Sequence, residues 1–132
     1  MNRITITCFA VAGALTTALP AFAAPWAVVS KHGSSETLSV DAASVDIQGK
    51  LRSYWWEIKL PQPTLEKNVI IGGYRIFSVV NCIEGTYQAQ KVQAITPHNT
   101  VGFTVQQGTN SAVRVATPGS NAEIAMRAVC AL

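Results

Sequence analysis

Cysteine and histidine are the side chains in this chain with the widest chemical reach, and their spacing favours a cross-link over a reaction. The 132 residues contain three cysteines, Cys8, Cys82 and Cys130, and two histidines, His32 and His98. A structural or catalytic metal site needs three or four converging ligands. No C-x-x-C pair is present, and both histidines fall in turn-like stretches, His32-Gly33-Ser34-Ser35 and Pro97-His98-Asn99. Neither a metal nor a cofactor is expected.

Acid–base catalysis needs two positioned titratable groups in one cleft. The carboxylates, Glu36, Asp41, Asp46, Glu57, Glu66, Glu84 and Glu123, sit beside turns or on polar strand faces and read as a solvated surface. There is no G-x-S-x-G elbow and no phosphate-cradling G-x-x-x-x-G-K-S loop. Gly72-Gly73 reads as a turn. The chain is expected to be non-enzymatic.

The amino terminus explains why two cysteines would pair. Arg3, an apolar stretch over residues 4–19 and Ala21-Phe22-Ala23 form an export signal, with residues 1–23 removed and Ala24 first in the product. Cys8 precedes most of that stretch and leaves with it, so no lipid anchor is expected. Removing 23 of 132 residues leaves a single domain of 109, residues 24–132, carrying nine basic and seven acidic groups. That balance argues against nucleic acid as a partner. No later apolar run approaches the ~20 residues of a membrane-spanning helix. Cys82 and Cys130 remain as an even pair in an oxidising compartment, periplasm or cell exterior, where a disulfide is the default.

The elements that place these residues follow from periodicity. Over residues 51–60, Tyr54, Trp56, Ile58 and Leu60 share one strand face, and Ser53, Trp55, Glu57 and Lys59 the other. Pro61-Gln62-Pro63 is expected to end that strand. Residues 64–73 read as a long loop or as a brief edge strand at Val69-Ile70-Ile71. Residues 74–82 are apolar on both faces, as in a covered central strand. Residues 26–31, 37–40, 86–95, 101–106 and 112–116 give further strands, with a tight connection at Asp41-Ala42-Ala43-Ser44-Val45. Ser120 and Glu123 open a helix over residues 121–130 with an S-x-x-E capping box. The expected class is α+β: an antiparallel β-sheet of about six strands, its central strand disulfide-linked to a C-terminal α-helix.

Trp55 on a polar face and Tyr87 near a hairpin are candidate anchors for a protein partner, since aromatic residues are enriched at interface hot spots. A helix or a cross-strand neighbour covering Trp55 is the alternative. Arg52 and Lys59, with Lys67, Arg75 and Lys91, are candidates for a basic stripe across neighbouring strands. An ordinary solvated sheet face is the alternative there.

Residues 40–130 resemble the surface-adhesin protein E family of small exported bacterial proteins. The matching pieces are Asp41-Ala42-Ala43-Ser44-Val45, Tyr54-Trp55-Trp56, Ser78-Val79-Val80-Asn81-Cys82, and Pro118-Gly119-Ser120 ahead of the helix that carries Cys130. The resemblance implies an antiparallel sheet with a C-terminal helix, a Cys82–Cys130 bridge, and adhesion to host matrix or serum proteins such as vitronectin, laminin or plasminogen. It also implies a capacity to pair as a homodimer. A periplasmic accessory or inhibitor acting on another envelope protein is the alternative function.

Overall fold

The computed structural model describes residues 26–32, 36–106, 108 and 111–132. The export signal, its cleavage site and most of the two turns expected at residues 32–35 and 108–111 lie outside them.

Among the described residues, eight strands form one antiparallel sheet. They are β1 (Trp26–His32), β2 (Glu36–Asp41), β3 (Asp46–Gln48), β4 (Leu51–Glu66), β5 (Val69–Asn81), β6 (Thr86–Ile95), β7 (Val101–Gln106) and β8 (Arg114–Val115), followed by α1 (Asn121–Cys130). The main path is β1-β2-β4-β5-β6-β7, with the short β3 beside the start of β4 and the short β8 beside the start of β6. The antiparallel sheet, six strands along its main path, and the closing helix match the expectation from sequence.

The period-two pattern of β4 works as read. Tyr54 and Trp56 are buried beneath α1 with Leu38 and Val40 of β2, Ile76 and Val80 of β5, and Ala125 and Val129 of the helix. Trp56 keeps its indole N–H satisfied in that interior by donating to Ser78 Oγ at 3.0 Å. The helix packs mainly against β1, β2 and β4, using small residues spaced three and four apart. Ser120 caps it, its hydroxyl accepting from Glu123 N–H at 3.2 Å. The Glu123 carboxylate accepts instead from Gly119 N–H, while Ser120 N–H goes to Thr117 O, so the box is completed one residue early. Arg127 pairs with Glu123 one turn on and holds its carboxyl below the usual carboxylate range. Cys130, at the last turn, is bonded to Cys82 just past the end of β5, with a Cα separation of 5.6 Å.

Two expectations are corrected. β4 does not stop at Pro61 but runs on to Glu66, and Gly72-Gly73 lies inside β5 rather than in a turn. The pairing passes from Lys59↔Gly73 to Thr64↔Ile71, so residues 60–63 loop out opposite Gly72 alone. Both prolines sit in this bulge, where the ladder is already broken and no N–H is missed. Gly73 is required there, because a Cβ on it would lie 2.4 Å from Ile58 O. The arms rejoin and close through Lys67 and Asn68, both at positive φ, the pattern of a two-residue type I′ hairpin turn. Strand β8 covers only two of the five residues expected at 112–116.

Candidate binding face

The sheet face away from α1 carries a row of side chains that the register sets in line. Trp26 pairs with Asp41, Trp55 with Phe77, and Phe77 with Lys91. The last rung between β2 and β4 is Val40↔Trp56, which leaves Asp41 and Trp55 side by side. Ser44 supplies the next rung. Its hydroxyl accepts from Trp55 N–H at 2.9 Å and donates to Asp41 O at 2.7 Å. Asp41 caps the single 3-10 turn over Ala42–Ser44 by accepting from Ala43 N–H at 3.1 Å. The Asp41-to-Val45 motif is thus a device for holding β4, and Trp55 with it, against β2.

Trp55 is half-buried, its ring centroid 5.4 Å from that of Phe77 at an interplanar angle of 48°. It is therefore a cross-strand aromatic pair with a partly open face.

The neighbouring row holds charge. Glu57 is only 3% exposed, contrary to the solvated reading of the carboxylates. Arg75, directly opposite it in the register, donates from Nε to Glu57 Oε2 at 2.8 Å. The same guanidinium donates to Asn99 Oδ1 at 2.6 Å and lies 5.3 Å from the Trp26 ring centroid. Lys59 Nζ stands 3.7 Å from Glu57 Oε1, with most of its side chain in solvent. A carboxylate this deep is tolerable only with its partner in place. The sequence contains both residues, but only the register shows that they meet.

Two shallow depressions flank the aromatic pair. One, of about 270 Å³, is lined by Glu57, Lys59 and the Gly72-Gly73 backbone, with Ile95, Thr96, Pro97 and Asn99. The other, also about 270 Å³, has Leu51, Phe77 and Val79 with Asp46, Gln48, Ser53 and Gln90 around it.

The candidate residues divide between the two faces. Trp55 and Lys59 share the open face of β4. Arg52 and Tyr87 are both opposite Val80, on the side that faces the helix. Arg52 folds back, its Nη1 donating to Gly49 O and Leu51 O at 2.6 and 3.0 Å, and Tyr87 packs at the margin of the core. The five basic residues do not line up. Arg75 is bound to Glu57, and Lys67 lies over Phe103. His98 is exposed in the turn after β6. Among the described residues, no three His, Cys, Asp or Glu side chains form a group that could hold a metal ion.

The family model for surface-adhesin protein E matches residues 26–131, all but the last of the described chain. This chain belongs to the surface-adhesin protein E family. Two solved structures of Haemophilus influenzae protein E share the adhesin-E fold. Crystal form II superposes with a TM-score of 0.62 at 12% identity, over 83% of this chain and 89% of that one. A second structure gives 0.60 at 12% identity, over 83% and 86%. At that identity the likeness establishes the fold. No curated protein matches the chain by sequence. Within this adhesin-E domain the motifs of the family have physical roles: a rung between strands, the buried Trp56 with its open-faced neighbour Trp55, and the two ends of the disulfide.

Proposed function

We propose that this domain is exported and acts at the cell surface as an adhesin, binding a host matrix or serum protein without cofactor or covalent chemistry. Its contact surface is the open sheet face centred on Trp55 and Phe77, with Lys59 at one flank. The family match over residues 26–131 carries the adhesin reading. The cross-strand aromatic pair supports the choice of surface. Tryptophan is among the residue types enriched in protein hot spots. Export follows from the signal over residues 1–23, and no helix among the described residues is long and apolar enough to cross a membrane.

Protease shaving of intact cells, beside a shock-released periplasmic fraction, tests the location. Loss on shaving is expected. Protection, with release in the periplasmic fraction, would instead make the protein an accessory to another envelope component. Trp55→Ala tests the surface. Hot-spot truncations cost about 2 kcal/mol or more, so binding to immobilised matrix proteins should weaken by tenfold or more. The stability loss should be smaller, about 0.5–1.5 kcal/mol for the broken aromatic pair. Equal loss of both would make Trp55 a structural residue only.

A further inference from the structure

The two edges of the sheet are guarded unequally. β1 is interrupted by a bulge between Val28 and Ser30 and ends in Lys31-His32. Bulges and lysines are the usual protection of an exposed edge against pairing with another chain. β7, at the other end of the path, reads Val101-Gly102-Phe103-Thr104-Val105-Gln106, with no charge and no proline. Its one irregularity is at Gly102, the unpaired residue between Ala94↔Phe103 and Ile95↔Val101. A Cβ on Gly102 would lie 2.9 Å from Val69 Cγ1, so the bulge seats the start of β7 on β5. Residues 103–106 then run straight, paired to β6 on one side and to no strand on the other among the described residues.

An apolar groove of about 430 Å³ adjoins that edge, on the sheet face that bears α1 but beyond β1, β2 and β4, the strands the helix mainly packs against. Phe103 and Val105 project into it beside Tyr74, Val92 and Ala94, with Glu66 and Lys67 at the hairpin end. The Tyr74 hydroxyl engages Glu66. Lys67 Nζ stands 4.8 Å from the Phe103 ring centroid and places a positive charge over that end. An unpaired backbone edge and an apolar groove under alternate side chains are the two halves of a strand-addition site.

We propose that β7 is a strand-addition site for an extended segment of a partner protein, about four residues long. Its apolar side chains, at alternating positions, fall on the side of Phe103 and Val105, and an acidic residue lies toward Lys67. The backbone edge dictates an extended occupant, the groove dictates the alternation, and the ammonium dictates the charge. This surface is distinct from the Trp55 face and stands or falls independently of it.

Selection of random twelve-residue peptides on the disulfide-bonded protein, then titration of synthetic peptides from the enriched clones, tests the assignment. Enriched sequences should alternate apolar residues and carry a flanking acid. Val105→Lys, which charges the edge, should weaken them about tenfold. Val28→Lys, which charges the already guarded edge, should leave them unchanged. Bound peptide should slow amide exchange over residues 103–106 and not over 26–32. Three results overturn the proposal: no alternation among enriched peptides, full binding to the Val105→Lys variant, or binding without protection of residues 103–106. Sedimentation that shows a dimer abolished by Val105→Lys would assign the edge to a second copy of this chain and overturn it equally. Should Val105→Lys unfold, the exchange pattern of the unmodified protein still decides.

Discussion

At the scale of single residues, the interior depends on close fits that leave no slack. Trp56 brings a polar N–H into the core and Ser78 Oγ takes it. Ser78→Ala removes the acceptor and leaves a buried donor unpaired, which costs about 1–3 kcal/mol. The urea midpoint should fall with the slope unchanged. Gly73 is the stricter position, since an added Cβ would meet backbone rather than a movable side chain. Gly73→Ala should cost about 1–3 kcal/mol, the range for overpacking, and should loosen the bulge formed by residues 60–63. A midpoint equal to wild type would mean that the two arms can separate at no cost. Trp55 differs from both. Its side chain lies outside the helix-covered core, which is why its loss is expected to affect binding more than folding.

At the scale of elements, the helix depends most on others. Ten residues are too few to hold a helix in water without support. Packing through Ala125 and Val129, the Ser120 cap and the Cys82–Cys130 bridge supply it. A bridge closing 48 residues contributes about 4 kcal/mol in the loop-entropy model. That is a large part of the total of about 5–15 kcal/mol expected for a domain. The double variant Cys82→Ser, Cys130→Ser should therefore lose most of its stability, with helix amides exchanging faster than those of β4 and β5. The helix was legible in the sequence because its signals are local: a cap, an i+3 acid and a spaced apolar run. The bulge in β4 was not. Pro61 and Pro63 argue locally for a strand end, and only the pairing with Gly72 across the sheet shows that they interrupt a strand without ending it. Lys67-Asn68 gave little turn signal, because lysine rarely takes positive φ. The same limit hid the Glu57–Arg75 pair, which exists only through register.

At the scale of the whole molecule, the helix-bearing face of the sheet puts tyrosines, both under α1 and beyond it, in environments that resist ionisation. Tyr54 lies under the helix, and burial raises its hydroxyl above the ordinary value of 10. Tyr74, in the groove beside β7, is pushed up to about 12, first by desolvation and then by its hydrogen bond and proximity to Glu66. A group that holds its proton more tightly folded than unfolded contributes full stability below its unfolded pKa. That contribution drains away as pH rises through the folded value. Stability from Tyr74 is thus complete below about pH 10 and lost toward pH 12. Melting temperature should hold level through neutral pH and fall steeply across that alkaline window. Tyr74→Phe removes the titrating hydroxyl, so its melting curve should fall less steeply there while differing little at pH 7. Parallel curves for the two proteins would place the alkaline loss elsewhere. Because Tyr74 and Val105 line one groove, a peptide paired with β7 should also deepen the burial of Tyr74 and move the alkaline fall to higher pH. That shift would be absent in the Val105→Lys variant, and it links the titration of one phenol to occupancy of the sheet edge.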